Sequence, residues 1–212
     1  MIDHPLAHAL ARAAYGTFPP ADGVVEVHPA AGDRVGVVAA FTGHFVIAAD
    51  ADPAEVEARA PTGEFSIPLS GSFLAWLGEV IGATPGVHDV VLATLGVGGG
   101  AADWLEPSSD VSHPRVERAR RYRSDVNVWT AAEGGVVTVG RGLCDRWEVA
   151  FEVDRDARNA GLGRRLVAAA RALLPAGEPM FAQVAPGNAA SLRTMTAAGF
   201  QPIGAEVLFH RA

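Results

Sequence analysis

A glycine-bearing loop between a predicted strand and a predicted helix is the feature that most constrains the fold of this chain. The loop is Arg-Asn-Ala-Gly-Leu-Gly at residues 158–163. Residues 147–153, just before it, alternate apolar and acidic side chains, which is typical of a half-buried strand. After the loop, leucine and alanine recur at helical spacing until Pro175. The chain therefore passes from a strand into a helix at this loop.

A loop of this kind is suited to binding phosphate. Unpaired N–H groups and the positive end of the helix dipole favour an anion at a helix N-terminus, and Gly161 and Gly163 let the main chain approach it closely. Arg158 and Arg164 add positive charge beside the loop. A tight strand-to-helix turn without a ligand is the alternative, because short glycine patterns also recur by chance. The pattern favours a cofactor that carries a diphosphate.

The chain continues with further strands and helices after this helix. Residues 180–184 indicate a strand, Asn188 begins a second helix, and Gly199 ends that helix. Two short strands, 200–203 and 207–209, are predicted to finish the chain. The order of these elements is more specific than the loop alone.

With this order of motifs, residues 124–212 resemble the core of the GNAT superfamily of acetyl-CoA-dependent N-acetyltransferases. They comprise a β-hairpin, a strand ending in Val153, an R-x-x-G-x-G loop, a helix, a strand, an Asn-led helix and a terminal Gly-Phe strand. The resemblance implies an α/β (α+β) fold with a mixed, mostly antiparallel sheet flanked by helices. It also implies that a catalytic domain over residues 101–212 transfers the acetyl group of acetyl-CoA to a primary amine of a small molecule or peptide by direct attack.

The resemblance also implies which residues bind acetyl-CoA. In the family, main chain at the positions of Phe151 and Val153 pairs with the acetyl and pantetheine groups. Asn188 matches a position that contacts the pantetheine arm, and Ser191 lies one helical turn later on the same face. Asn188 could instead be only a helix N-cap, and both roles are compatible. The loop amides that would bind the pyrophosphate are those of Asn159, Ala160, Gly161, Leu162, Gly163 and Arg164.

Proton transfer is where this sequence departs from the family. Many members carry a Tyr seven residues after the Asn, which protonates the leaving thiolate, whereas this chain has Met195 there. Coenzyme A thiolate is a tolerable leaving group near neutral pH, so transfer need not stop without that acid. An ammonium substrate must lose a proton before it attacks, and Glu148 is the predicted general base, acting directly or through water. Glu152 shares its face by period-two alternation, and either could be a solvent-facing strand residue.

Composition limits the setting of this chain. It has 212 residues, 49% of them hydrophobic, enough for one good core or two small ones. A single Cys excludes an internal disulfide framework, and seven scattered His show no metal-ligand spacing. No run suits a membrane span, and residues 1–18 lack a signal-peptide pattern. We expect a cytoplasmic bacterial enzyme without a metal, whose oligomeric state, including a homodimer, stays open.

Charge is divided unequally along the chain. Residues 1–110 carry 3 Arg and 14 acidic residues, a net charge of −11, whereas residues 111–212 carry 14 Arg and 10 acidic residues, a net charge of +4. The basic part suits a phosphate-rich cofactor, and the acidic part could attract a cationic amine, although solubility alone could explain it. The Arg run at residues 118–123 predicts a solvated helix face or a contact to the other half rather than a nucleic-acid site.

Residues 1–100 are predicted to form an α/β region, interpreted as a degenerate GNAT-like repeat that shapes the substrate cleft. Two strand-like runs in each half are similar and are predicted to begin hairpins: 25–31 and 36–38, and 126–132 and 135–137. An acidic segment at residues 50–57 stands where the glycine loop would be, and it would repel pyrophosphate. Chance similarity between two hairpins is the alternative.

Three functions stay open at this point. The first is an active N-acetyltransferase, in which Cys144 could carry the acyl group, although no adjacent base supports that route. The second is a non-catalytic acetyl-CoA-binding regulatory module, which Met195 favours. The third is an oxidoreductase that uses the glycine-rich residues 96–101, but Pro107 follows almost at once and no parallel-strand pattern surrounds them. We interpret residues 96–101 as a linker between the halves.

Overall fold

Strands and helices are mixed along the chain, and several strands follow one another directly. A computed structural model of the protein describes residues 2–32, 34–109 and 112–211. They divide into two units: one runs up to Val91 and resumes at Ile203, and the other is Leu92–Pro202. The first unit thus takes residues from both ends of the chain.

The first unit packs helices and strands around an apolar core. Its elements are α1 (Pro5–Ala14), β1 (Val25–His28), β2 (Gly36–Phe41), β3 (His44–Ala49), α2 (Pro53–Arg59), α3 (Gly71–Ile81), most of β4 (Thr84–Leu95) and, from the C-terminal end of the chain, most of β10 (Gln201–His210). The strand order is β1-β3-β2-β10-β4. The core includes Val38, Ile47, Phe73, Leu77 and Phe209.

Pairing in the first unit differs from the predicted hairpin. Strand β1 runs parallel to β3, with Val25 opposite Phe45, and the hairpin joins β2 to β3, with Phe41 opposite His44. Residues 25–31 and 36–38 therefore do not pair with each other as predicted. Side-chain alternation shows which face of a strand is buried but not which strand lies beside it.

The second unit follows the order of elements predicted from the sequence. Its elements are the end of β4, then β5 (Leu105–Pro107), α4 (Pro114–Tyr122), β6 (Ser124–Ala131), β7 (Gly135–Arg141), β8 (Trp147–Val153), α5 (Leu162–Ala172), β9 (Pro179–Val184), α6 (Ala189–Ala197) and the start of β10. The strand order is β4-β9-β8-β7-β6-β5. Strands β6 and β7 form the expected antiparallel hairpin. Most described pairs are antiparallel, so the mixed α/β fold with a mostly antiparallel sheet and flanking helices is confirmed.

The last strand is longer than predicted. Residues 201–210 form one strand rather than two short ones. Ala205 and Glu206, in the predicted gap, pair with Ala40 and Ala39 of β2. This partner lies far away in sequence, so local patterns do not reveal the pairing.

Helices α4 and α5 lie on opposite faces of β8. Arg115 of α4 and Arg123 just after it contact Glu152 and Glu148, which share one face of the strand. The other face carries Phe151 and Val153, and helix α5 packs closely against it at Gly163. Helices thus cover both faces of strand β8.

The glycine-rich segment at residues 96–100 closes the end of α5. The N–H groups of Val97 and Gly100 donate to the carbonyls of Arg171 and Ala172, each at 2.9 Å. These carbonyls belong to the last turn of α5, where helix carbonyls lack intrahelical partners. The next regular element is the short strand β5 rather than a helix, so the context of a dinucleotide-binding loop is absent from the described residues.

Candidate acyl-CoA site

A pocket of about 480 Å³ opens at the N-terminus of α5. Its lining contains ten of the eleven predicted cofactor residues, and Ala160 is the one outside it. The predicted residues in the lining are Phe151, Val153, Arg158, Asn159, Gly161, Leu162, Gly163, Arg164, Asn188 and Ser191. The structure therefore brings the loop, the strand and the second helix together around one cavity.

Strand β8 has an open edge beside this pocket. Among the described residues, β8 pairs with β9 at Trp147 and Glu148, and the pairing stops there. Strand β7, by contrast, pairs with β8 as far as Val153. Residues 149–153 thus keep one edge that β9 does not cover.

The direction of the backbone shows which residues use that edge. The N–H of Asp154 donates to the carbonyl of Gly134 at 2.9 Å, on the side of β7. Backbone groups of successive strand residues point to opposite edges, so those of Phe151 and Val153 point away from β7. These are the two residues whose main chain the resemblance assigns to the acetyl and pantetheine groups.

The N-terminus of α5 keeps its backbone donors for the pocket. Gly161 precedes the helix in the left-handed region, with a φ of 81°, and makes no side-chain cap hydrogen bond. The first N–H groups of a helix have no partner within it, so those around Leu162 and Gly163 remain available to an anion. A Cβ at Gly163 would lie only 3.0 Å from the Phe151 ring. Glycine at this position lets the helix approach β8.

Guanidinium groups surround the loop. Arg158 donates from Nε to the carbonyl of Val153 at 3.1 Å, which leaves its terminal amino groups as donors. Arg164 and Arg115 also line the pocket, and Arg115 Nε lies 3.3 Å from Glu152 Oε2. Three cations against one carboxylate make the lining electropositive, as a diphosphate site requires.

Asn188 acts as a helix cap. Its Oδ1 accepts a hydrogen bond from the backbone N–H of Ser191 at 3.1 Å, at the start of α6. Both residues also line the pocket. The cap fixes the position of the Asn188 side chain at the rim of the cavity, so the two roles considered for it are compatible.

Glu148, the predicted general base, lies in a buried ion cluster. Its Oε2 is 2.8 Å from Nε of Arg123, and its Oε1 is 2.9 Å from Nε of Arg146. Oε1 also accepts the N–H of Leu143 at 3.3 Å. Glu148 is 3% exposed and is absent from the pocket lining. Both carboxylate oxygens are therefore engaged by groups of the chain itself.

The charge state of Glu148 follows from these neighbours. Burial by itself raises the pKa of the carboxyl, but the guanidinium groups of Arg146 and Arg123 outweigh it and lower the pKa from 4.5 to about 2. A carboxylate with so low a pKa is a poor proton acceptor near neutral pH. The geometry thus argues against the predicted general-base role of Glu148.

Two other residues considered for chemistry are buried. Met195, at the position of the family Tyr, is 2% exposed and does not line the pocket. Cys144 lies in a 3₁₀ turn at residues 143–145 and is 3% exposed. A buried thiol away from the pocket is not placed to accept an acyl group.

Some lining residues were not predicted from the sequence. Arg115 and Thr194 both reach the pocket. Arg115 follows Pro114 at the first turn of α4, and this Pro predicts from the sequence where the helix begins. No local pattern places that helix beside β8, so its residues could not be assigned to the site.

Within the part of the chain that the structure describes, no group of three or more His, Cys, Asp and Glu side chains is arranged to hold a metal ion. No helix among residues 2–32, 34–109 and 112–211 is long and apolar enough to cross a membrane.

Comparison with known proteins gives a partial match. Residues 149–209 match the family model described as FR47-like protein. No curated protein sequence matches the chain. The matched segment begins on β8 and contains the loop, α5, β9 and α6.

Three solved structures show low similarity. A GCN5-related N-acetyltransferase from Kribbella flavida is 13% identical, with 96% of this chain and 93% of that chain covered and a TM-score of 0.44. A GNAT-family acetyltransferase from Colwellia psychrerythraea is 10% identical, with 78% and 75% covered and a TM-score of 0.40. A GCN5-related N-acetyltransferase from Sphaerobacter thermophilus is 13% identical, with 66% of this chain covered and a TM-score of 0.39. The match spans 56% of the Sphaerobacter chain.

The family match and the pocket coincide in the chain. Most of the residues that line the pocket lie within the matched segment. Residues 149–209 are thus similar to the FR47-like family, and the resemblance to the GNAT superfamily predicted from the sequence is confirmed for this part of the chain.

Proposed function

We propose that this protein is an N-acetyltransferase that transfers the acetyl group of acetyl-CoA to a primary amine of a small molecule or peptide. One observation carries the proposal: the uncapped N-terminus of α5 and the open edge of β8 line the same pocket. A helix N-terminus suits a diphosphate, and a strand edge suits the amide-bearing pantetheine arm.

The residues of the pocket fit coenzyme A. Arg158 and Arg164 can donate to phosphate oxygens, and the N–H groups at the start of α5 provide further donors. Backbone groups of Phe151 and Val153 can pair with the two amides of a pantetheine arm. When bound, acetyl-CoA supplies an acyl group activated as a thioester.

The proposal assigns no proton transfer to Glu148 or Met195. The carboxylate of Glu148 is enclosed by two guanidinium groups, and a thioether carries no exchangeable proton. We expect the site to accept the amine in its unprotonated form, taken from solution. The strand edge would then orient the acyl carbonyl toward it.

A non-catalytic acetyl-CoA-binding module is the second candidate. Met195 is buried at the position where many family members carry the acid that protonates the thiolate, and this favours binding without turnover. The two functions differ in whether thiol is released when acetyl-CoA binds in the presence of an amine.

The deciding experiment mixes the protein with acetyl-CoA and a panel of small primary amines and peptides. An N-acetyltransferase releases free thiol in step with acetylated amine, identified by mass spectrometry. Saturable binding of acetyl-CoA without amine-dependent thiol release would leave the binding module as the function. Failure to bind coenzyme A at all would exclude both.

A further inference from the structure

A second pocket, of about 590 Å³, lies in the first unit and has no part in acyl transfer as proposed above. Its wall is formed by α1, by the segment at residues 17–24, and by β1 and β3.

Two carboxylates and an imidazole that line this pocket belong to a cluster that also includes His28. Asp22 Oδ1 lies 3.0 Å from His44 Nδ1, and Glu26 Oε1 lies 3.3 Å from His44 Nε2. The second oxygen of Glu26 is 2.9 Å from His28 Nε2. The four side chains form a continuous chain of contacts, with His44 buried at its centre.

The apolar core of the unit does not require this cluster. On β1, Val25 and Val27 pack against the core, whereas Glu26 and His28 alternate with them and point to the opposite face. On β3, Ile47 belongs to the core and His44 does not. The side chains of Asp22 and Glu26 are 38% and 42% exposed, so these carboxylates face the pocket and do not fill the core. The cluster therefore indicates a binding role rather than a packing one.

Backbone hydrogen bonds hold the acidic side of the pocket in place. The N–H of Val24 donates to Asp22 Oδ1 at 3.0 Å, and the carbonyl of Val24 accepts from Phe45 at 2.9 Å. The hydrogen bond from His44 is the main cause that lowers the pKa of Asp22. Asp22 is thus a fixed, ionised group, and its side chain is 38% exposed.

Positive charge enters the pocket from a different element. Arg12 and His8 lie on α1 and line the pocket together with residues of β1 and β3. His8 also contacts Asp3 at 3.2 Å. Arg12 makes no ion pair among the described residues of the chain. A ligand that carries one positive and one negative group can pair with the carboxylates and with Arg12 at the same time.

The rest of the lining is mostly apolar. Pro, Ala and Val side chains contribute most of it: Pro5, Ala9, Pro19, Pro20, Val24 and Val46. We propose that this pocket binds a free amino acid with an apolar side chain, its ammonium group at Asp22 and Glu26 and its carboxylate at Arg12. The apolar residues enclose the side chain.

L-leucine and L-phenylalanine are titrated into the full chain in the absence of acetyl-CoA, and binding is measured by calorimetry. At least one of the two amino acids should bind saturably. N-acetyl-leucine and leucinamide, which each lack one charge, should bind at least about tenfold more weakly. Asp22→Asn and Arg12→Gln should each weaken binding by about tenfold. Arg165→Gln, at an exposed Arg outside both linings, should bind as the wild type does.

Circular dichroism shows whether Asp22→Asn folds. If it does not, Arg12→Gln still tests the proposal, because Arg12 is exposed and its substitution should not disturb folding. The proposal is overturned if neither amino acid binds, or if leucinamide binds as tightly as leucine. Equal affinity in Arg12→Gln and the wild type would also overturn it. So would a loss of binding in Arg158→Gln alone, because that result places the amino acid at the acyl-CoA pocket.

Discussion

Glu148 shows how strongly a residue's role depends on its partners in the fold. The alternation along β8 identifies it as a strand carboxylate, and this made it a candidate base. Arg123 comes from the end of α4 and Arg146 from the turn before β8, and together they enclose it. The cluster lies at the last residue pair that β8 shares with β9. We therefore interpret Glu148 as a positioning residue for the edge of β8.

Removing the charge of Glu148 should destabilise the protein. Glu148→Gln leaves two buried guanidinium groups without their carboxylate, and we expect the free energy of unfolding to fall by about 3 kcal/mol. Glu152→Gln is the matched control on the same face, where its ion pair with Arg115 is more exposed and contributes at most about 1 kcal/mol. Denaturant unfolding of both variants measures the difference. Equal, small losses would contradict the buried cluster.

The same carboxylate predicts the sign of the acid dependence. The pKa of Glu148 in the folded state, about 2, lies below its ordinary value of 4.5. Its stabilisation is therefore complete above pH 4.5 and is lost as the pH falls toward 2. Glu148→Gln should show a shallower loss of stability across this range than the wild type.

Arg158 is expected to act on cofactor affinity and not on folding. Arg158→Gln removes donors beside the N-terminus of α5, and coenzyme A affinity should fall by about tenfold. Arg165→Gln is the control, because Arg165 lies on α5 but pairs with Glu133 outside the pocket. Calorimetric titration with coenzyme A compares the two. If both variants bind as the wild type does, the diphosphate is not held at this loop.

At the scale of elements, the site depends on how closely α5 approaches β8. Gly163 has the Phe151 ring, the Thr194 methyl and a Val153 methyl within 3.5 Å of where a Cβ would stand. The uncapped N-terminus of the helix is thereby held against the strand edge. Separation of the two elements would widen the pocket without unfolding either.

Gly163→Ala should therefore weaken coenzyme A binding more than it changes stability. The added methyl pushes α5 away from β8, while alanine favours a helix by about 1 kcal/mol over glycine and offsets part of the packing cost. Gly71→Ala in α3 is the control, since a Cβ there meets nothing within 4 Å. It should leave coenzyme A affinity unchanged. Unchanged affinity in Gly163→Ala as well would show that this close approach does not shape the site.

Across the whole molecule, the two units differ in how the N-terminus of a helix is capped where that helix follows a comparable strand. Helix α2 follows β3, but Asp52 caps it by accepting the N–H of Ala54 at 2.8 Å. Helix α5 follows β8 and has Gly161, which offers no capping side chain. Only an uncapped N-terminus leaves its donors to a bound anion. The interpretation of residues 1–100 as a degenerate repeat stays a prediction.

This contrast predicts that one chain binds one coenzyme A. Asp52 occupies the start of α2 with a carboxylate, and Glu55 adds a second negative charge in its first turn. Calorimetric titration should give a stoichiometry of one, and Asp52→Ala should leave it unchanged. Two equivalents bound per chain would contradict the difference between the units.

Local patterns predicted most elements and the loop, because the alternation in β8 and the helical spacing after Gly163 need only neighbouring residues. These patterns also identified most of the residues that line the pocket, because the loop follows directly after the strand. What they could not predict depends on distant contacts. The contact of Arg123 with Glu148, the pairing of β1 with β3 and the single strand at residues 201–210 are all set by residues far away in sequence.

Amide hydrogen exchange with and without coenzyme A reports directly on where the cofactor binds. If the N-terminus of α5 and the edge of β8 hold the cofactor, exchange should slow at the amides of residues 161–164 and at those of Phe151 and Val153. The capped start of α2 should exchange as before. Coenzyme A binding that leaves these amides unchanged would contradict the account.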